Sequence, residues 1–294
     1  MSISIKRLQL FEAIARLGKL TKAANELALS QSAASQSLKE LEHTLGYPLF
    51  DRVGRDLIIT ENGIKVLPKV RQITGLIDSI KQCNLSTMSG VLRVVASETI
   101  ATYLLPKILA DFIQAYPSVE PDIQIGNTQM VIDYLDKGRA NIGLIEGPIT
   151  HKHLQIVPWK KDQLQIFCHP IHPLAANSKI SIAQLKQQPW ILREHGSGTR
   201  AIFDAAIEEA GTQINLALEL TRQSAIKESV KAGLGLGCLS QLTISEDLNN
   251  GSLVELSSDL NLSRKFSIVT NLDSYQNPLT QRFLDYIVEA KVSS

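Results

Sequence analysis

Two groups of residues in this 294-residue chain are dense in hydrogen-bonding chemistry. The first is Glu194-His195-Gly196-Ser197-Gly198-Thr199-Arg200, which lies between an apolar run, PWILRE, and a helical pattern, TRAIFDAAIEEAG. Glycines there let backbone approach a ligand, hydroxyls can donate, and a helix N-terminus adds positive partial charge, so with Arg200 alongside the segment suits a small anion. The second group is Ser32, Ser35, Gln36 and Lys39, which fall on one stripe of a helical pattern while Ala34, Leu38, Leu41 and Leu45 fall on the opposite one. Exposed helix faces normally carry Glu and Lys, and Ser is a poor interior helix former. Short polar side chains with a Lys are instead what a helix needs to approach base edges and phosphates in a major groove. A solvated face without a partner is the plainer reading of the same residues.

The elements that position these groups are legible around them. Leu8, Leu10, Phe11, Ile14 and Leu17 recur at helical spacing before Gly18. Thr21 is placed to cap a second short helix, and Ser30 a third that runs to Gly46. After Pro48, LFDRVGRDLIIT predicts a hairpin or wing turning at Val53-Gly54-Arg55. Residues 61 to 86 predict one long helix with Val66, Val70, Ile73, Ile77 and Ile80 at heptad spacing, a seam that dimerisation would cover or that the protein's own body would; Pro68 within it implies a bend or an irregular first turn.

From Gly90 onward, strands such as VLRVVAS, DIQIGN, ANIGLIE, PWILRE, LALEL and LGCLS alternate with amphipathic helices such as TYLLPKILADFIQAY, the signature of an α/β body. The expected organisation is a head at 1–60, a linker helix at 61–88 and a body at 89–294. One lobe takes 89–161 and 268–294, the other 162–267.

Open α/β lobes bind ligands at the C-terminal ends of their strands. The candidate ligand set at those ends is Ser97, Thr99, Asn127, Glu146, Ser197, Gly198, Thr199 and Arg200, although hydroxyls there also serve as plain helix caps. Glu146 would repel an oxyanion unless it accepts a proton from the ligand, meets a ligand amine or pairs with an Arg.

Composition narrows the class. The chain is 44% hydrophobic and 20% charged with formal net charge +1, which excludes disorder and low complexity. Residues 1 to 90 hold 12 Lys and Arg against 8 Asp and Glu, so any polyanion partner is expected at the head. No apolar run of about 18 residues is present, and no leader pattern opens the chain, so no membrane partner and a cytoplasmic location are expected. Three distant cysteines suit a reducing compartment, and Cys238 reads as core packing. His151, His153, Cys168, His169 and His172 match no zinc spacing. The glycines at 233, 235 and 237 follow a helix and precede a strand, the reverse of a dinucleotide loop.

The segment AANELALSQSAASQSLKELEHTLGYPLFDRVGRDLIITENG resembles the N-terminal signature of LysR-type transcriptional regulators, through Ala23, Ala24, Leu27, Ser30, Gln31, Ser32, Ser35, Leu41, Glu42, Leu45, Gly46, Leu49, Phe50, Arg52, Thr60 and Gly63. Lys19 stands where that family often has Ser. The resemblance implies a winged helix-turn-helix, a long linker helix and a two-lobed α/β effector domain similar to periplasmic binding proteins. It places the DNA-contacting set at Ser30, Gln31, Ser32, Ser35, Gln36, Lys39, Arg52 and Arg55. It implies no catalytic role and no cofactor. The partners it implies are double-stranded DNA, a second copy through the linker helix within a homotetramer, and RNA polymerase where the outcome is activation. Phrases beginning at Ala96, Gly126, Ile142, Pro189 and Gly235 are similar to a subgroup responding to sulfur oxyanions or cysteine precursors, which makes sulfite or a similar oxyanion the expected effector. The competing class is a solute-binding protein or an α/β enzyme acting on a small anion, but the former would not need residues 1–60 and the latter lacks a Gly-x-Ser-x-Gly elbow.

Overall fold

Ser4 accepts from the Arg7 amide and Gly18 adopts a left-handed φ of 71°, and between them helix α1 runs Ile5–Leu17. The computed structural model describes residues 3–54, 56–82, 88–177 and 179–289. Helix α2, Leu20–Glu26, begins one residue before Thr21, with Lys19 at its cap and no side-chain capping bond. Thr21 is therefore inside the helix rather than its cap. Ala28 takes the turn to α3 with a φ of 53°. Helix α3, Gln31–Leu45, has Ser30 as N-cap, and Gly46 ends it in a left-handed conformation. Strands β1 (Phe50–Val53) and β2 (Asp56–Ile59) pair antiparallel as the wing. Glu42 ties the wing to α3 by accepting from the amides of Leu49, at 2.8 Å, and Phe50, at 3.2 Å.

Helix α4, Glu61–Gln82, contains Pro68 and spends its first apolar residues on the head: Leu67 and Val70 are buried with Phe11, Ile14, Leu38 and Leu41, and Val66 packs against them. The expected seam is thus divided. Val66 and Val70 belong to the head's own core, while Ile73 and Ile80 remain exposed.

The body is one continuous sheet folded into two lobes. Strands β3 (Ser89–Ser97), β4 (Ser118–Gly126) and β5 (Ile142–Glu146) are parallel, with β3 between the other two. Strands β7 (Pro189–Arg193), β8 (Asn215–Leu220) and β9 (Leu236–Ser240) are parallel in the other lobe, with β7 central. Two long antiparallel strands, β6 (Leu154–Cys168) and β11 (Ser263–Asn271), join the halves; β11 pairs β5, β6 pairs β9, and β10 (Val254–Leu256) adds to β6. Pro158 is accommodated in β6 because the register shifts beside it, between Phe266 and Ser267 of β11.

Side-chain alternation covers both faces of the first lobe. Val94 and Ala96 meet Phe112 of α6 (Leu105–Ala115) and Phe283 of α12 (Pro278–Glu289), while Val95 meets Val131 and Leu135 of α7 (Thr128–Asp136). In the second lobe Leu192 packs with Leu185 of the short α8 (Ile182–Lys186) and Phe203 of α9 (Gly198–Glu209), and Ile191 with Ile226 and Val230 of α10 (Gln223–Lys231). Burial of each such side chain contributes about 1.5–3 kcal/mol.

Two other expectations change. The single helix read across TYLLPKILADFIQAY is two, α5 (Glu98–Tyr103) and α6, broken at Leu104 because Pro106 lacks the amide that would continue the ladder. LALEL, read as one of the body's alternating apolar strands, is an edge strand whose Leu216 and Leu218 are exposed.

Candidate nucleic-acid interface and interlobe cleft

Helix α3 buries Ala34, Leu38 and Leu41 and leaves Gln31, Ser32, Gln36 and Lys39 exposed, with Ser35 half-buried. The exposed face begins at Ser30, whose Oγ accepts from the Ala33 amide and lies 3.0 Å from Ser32 Oγ. Arg52 on the wing donates to Ser35 Oγ at 3.4 Å, so hairpin and helix present one surface. A groove of about 480 Å³ runs between them, lined by Lys19, Thr21, Gln31, Ser35, Arg52 and Gly54. Two cations and several hydroxyl and amide groups around a groove suit a phosphate backbone. Gln36 donates to Glu40 Oε1 at 3.0 Å, and Glu40 in turn holds Arg7, so reading a base requires Gln36 to exchange that contact. Arg55 lies outside the described residues.

In the body, the strand ends converge as Ser97, Thr99, Asn127, Glu146, Ser197, Gly198 and Thr199. Thr128 Oγ1 donates to the Glu146 carbonyl at 3.0 Å, the Gln129 amide donates to the Gly196 carbonyl at 3.1 Å, and Asn127 Nδ2 donates to Glu194 Oε1 at 3.0 Å. Gly198 is obligatory: a Cβ there would stand 1.7 Å from the Glu146 carbonyl oxygen.

Charge in the cleft is organised by two arginines that the motif reading did not single out. Arg264, on β11, has a fully buried side chain. It contacts Glu146 Oε2 at 3.0 Å and Asp162 Oδ2 at 2.6 Å, and donates to Thr199 Oγ1 at 2.9 Å. Thr199 donates onward to Glu146 Oε1 at 3.2 Å. Glu146 is therefore answered by an arginine of its own chain and needs no donor from a ligand. Arg193 sits between Glu98 Oε2, at 3.1 Å, and Glu194 Oε2, at 2.9 Å. Burial pushes the Glu98 carboxyl above its ordinary value, against the opposing pull of Arg193. Arg200 does not face the cleft. Its guanidinium is taken by Asp204, by Glu219 and by the Arg193 carbonyl.

Thr99 accepts from Gln223 Nε2 at 2.7 Å, and Gln223 accepts from Thr243 at 3.0 Å. The signal for Gln223 was positional, since it begins a helix after a strand as Ser97 and Ser197 do. Arg264 carried no such signal, because Ser263-Arg264-Lys265 reads as a polar interruption ahead of the apolar run from Phe266.

The donors left over define the ligand chemistry. Ser97 and Ser197 stand at helix N-caps yet make no capping bond. Both Oγ atoms are buried without a hydrogen-bond partner, and so, ion pairs apart, are Arg193 Nη1 and Arg264 Nη2. A hollow of about 320 Å³ lined by Thr128, Gln129, Pro148, Ile149, His195 and Ser197 meets these donors only at Ser197. A larger one, about 940 Å³, lies on the flank of Leu104, Ile202, Leu242 and Phe266 and meets the donors only at Arg264.

Residues 5–64 match the bacterial regulatory helix-turn-helix model of the LysR family, and residues 86–291 match the LysR substrate binding domain. The chain belongs to the LysR family of transcriptional regulators. It is 36% identical over 293 residues to the Escherichia coli K12 protein named as an uncharacterized HTH-type transcriptional regulator, YeiE, covering 99% of both chains. A full-length OxyR variant from Pseudomonas aeruginosa superposes with a TM-score of 0.79 at 19% identity, over 99% of this chain and 95% of that one. The Synechocystis PCC6803 CcmR regulatory domain in complex with 2-PG superposes with a TM-score of 0.64 at 27% identity, over 69% of this chain and 98% of that one. The LysR assignment makes the chain a DNA-binding regulator under small-molecule control rather than an enzyme.

Cys168 and Cys238 are buried free thiols, raised to about 11 and about 12 by burial, and act as core packing in the second lobe. His151 contacts Asp136 at 3.1 Å and His153 contacts Asp273 at 2.9 Å; no cluster able to hold a metal ion occurs among the described residues. No helix among them is long and apolar enough to cross a membrane.

Proposed function

We propose that this LysR regulator binds a small oxyanion between its lobes and that the bound state alters how its heads grip DNA. The observation that carries this is the pair of buried hydroxyls without hydrogen-bond partners, Ser97 Oγ and Ser197 Oγ, near the buried guanidinium groups of Arg193 and Arg264. Buried hydroxyls without partners are costly, and an anion beside the two guanidinium groups supplies acceptors to both. The ion pairs to Glu98 and Glu146 hold both guanidinium groups in place before the ligand arrives. A compact anion with several oxygens, sulfite or a similar sulfur oxyanion, suits donors distributed over both lobes. The 2-PG complex of the related CcmR domain supports reading the body as a ligand site.

At the other end, Ser30, Gln31, Ser32, Ser35, Gln36, Lys39, Arg52 and Arg55 are the DNA-contacting set. Gln36 and Ser35 read bases, and the remaining side chains hold phosphates. Self-association uses the exposed part of α4, Ile73, Leu76 and Ile80, whose 3,4 spacing is a coiled-coil stripe. A tetramer of two such dimers, cytoplasmic, engaging RNA polymerase where it activates, completes the reading.

The test of the ligand class is a thermal-shift titration of the full chain with sulfite, sulfate, phosphate and acetate, repeated on Ser97→Ala and Ser197→Ala. A ligand at 100 times its Kd adds about 2.7 kcal/mol of stability. Stabilisation by an oxyanion that both substitutions abolish supports the site, whereas equal response in the variants removes it.

A further inference from the structure

Helix α7 has one end in the interlobe cleft and the other against the DNA-binding head. At its N-terminus, Asn127 and the Gln129 amide reach the second lobe at Glu194 and Gly196. At its C-terminus, Arg71 of α4 donates to the carbonyl of Asp136 at 3.2 Å and to that of Lys137. Two residues beyond Lys137, Arg139 donates to the Arg16 carbonyl of α1 at 2.6 Å. The caps are reciprocal. A linker arginine closes the C-terminus of a body helix, and a body arginine closes the C-terminus of a head helix, each placing a cation where the carbonyls are unsatisfied and the dipole is negative.

Two glycines let the junction close up. A Cβ on Gly138 would stand 2.0 Å from Arg71 Cζ, and one on Gly75 would stand 2.4 Å from the Tyr275 ring. The side chain of Arg71 is 10% exposed. A polar cavity of about 260 Å³, lined in part by Glu12, Arg16, Arg71, Arg93 and Asn141, lies within it. Nine helical residues separate the two ends, about 14 Å of stiff element. Val131 and Leu135 seat that element in the first lobe.

We infer that α7 is the strut that couples the interlobe cleft to the DNA-binding head, with Asn127 and Gln129 sensing the second lobe and the Arg71 and Arg139 caps passing the change to α1 and α4. Lobe movement that breaks the Asn127–Glu194 and Gln129–Gly196 contacts alters the α7 N-terminus, and the head feels it because the Arg71 and Arg139 caps lie at the opposite end. The inference rests on the reading of the cleft as the effector site and the head as the DNA reader. Its test needs neither ligand nor DNA, so the two fail separately.

The experiment is amide hydrogen exchange on the full 294-residue chain. Asn127→Ser keeps an oxygen to cap Met130 but removes the amide to Glu194. The double variant Arg71→Lys, Arg139→Lys keeps both charges but loses the forked grip. Coupling energies between sites of 1–3 kcal/mol correspond to changes of about fivefold or more, and coupling is reciprocal. Asn127→Ser is expected to speed exchange at residues 14–18 about fivefold relative to strand β3, and the arginine variant to do the same at residues 129 and 197–199. Lys231→Ala, which breaks ion pairs to Glu228 and Asp247 only, is expected to move neither segment. Changes confined to the mutated end of α7 in both variants would overturn the inference.

Discussion

Among the residues proposed to meet DNA, two have separable duties. Gln36 projects from the exposed face of α3, where its amide can pair with a base edge once it leaves Glu40. Arg52 stands on the wing as an exposed cation against Ser35. Gln36→Ala is expected to narrow the affinity gap between operator and unrelated duplex, by about 1–3 kcal/mol for a lost bidentate contact. Arg52→Ala is expected to weaken both duplexes alike and reduce the salt slope by about one. Fluorescence anisotropy against salt distinguishes them, and an identical loss of both kinds in the two variants would refute the division. Thiol chemistry gives a second residue-scale expectation. With Cys168 raised to about 11, only about one molecule in a thousand carries its thiolate at pH 8, and Cys238, at about 12, still less. Peptide mapping after iodoacetamide at pH 8 should find both unmodified in the native protein and alkylated in urea. Rapid native labelling of Cys238 would contradict its burial.

At the scale of elements, α10 is clamped to α11 (Gln241–Asn249) through Lys227 and Lys231, which lie 2.7 and 2.6 Å from the Asp247 carboxylate. Burial pushes that carboxyl up, but hydrogen bonds from the two lysines outweigh it and hold Asp247 below its ordinary value. A depressed carboxylate stabilises the fold above its unfolded value of 3.8, and that contribution is lost as pH falls through the lower folded value. Asp247→Asn should therefore cost about 1–2 kcal/mol at pH 7, with the gap from wild type closing only below about pH 4. Urea melts at pH 7, 5 and 3.5 check the sign, and a gap that widens on acidification would reverse it. Helices such as α1 and α3 were legible because apolar periodicity and caps such as Ser30 and Gly46 are local signals. The strands β6 and β11 were not, because Pro158 and the charges of KKD and SRK interrupt them and only their pairing across the lobes supplies the missing order. The site divides the same way. The hydroxyls at Ser97 and Ser197 follow from strand-then-helix position, but Arg264 as the partner of Glu146 depends on a contact between residues 118 positions apart.

For the whole molecule, the decisive surface is the far half of α4. Leu67 and Val70 are buried in the head and Val66 packs against them, so a partner can claim only the remainder, where Ile73 is 42% and Ile80 70% exposed with Leu76 between them. Two apolar residues seven apart on a helix, with a third at the intermediate turn, form a stripe one side chain wide, which suits a second copy of the same helix rather than a broad globular face. A winged head alone touches few base pairs, whereas two heads fixed one helical turn apart read twice the sequence. In the proposed dimer, assembly is therefore a condition of specificity. Ile73→Lys with Ile80→Lys places like charges opposite each other across such a stripe, while both positions are solvent-facing in the single chain and leave its core untouched. Sedimentation equilibrium is expected to show the variant dissociating at concentrations where the wild type remains associated, with circular dichroism unchanged. Because the charges sit far from α3, binding to a single half-site should persist while binding to a two-half-site operator weakens by tenfold or more, about 1.4 kcal/mol. Retained assembly in the double variant would shift the oligomer contact from α4 to the exposed edge strands of the body, β4 and β8.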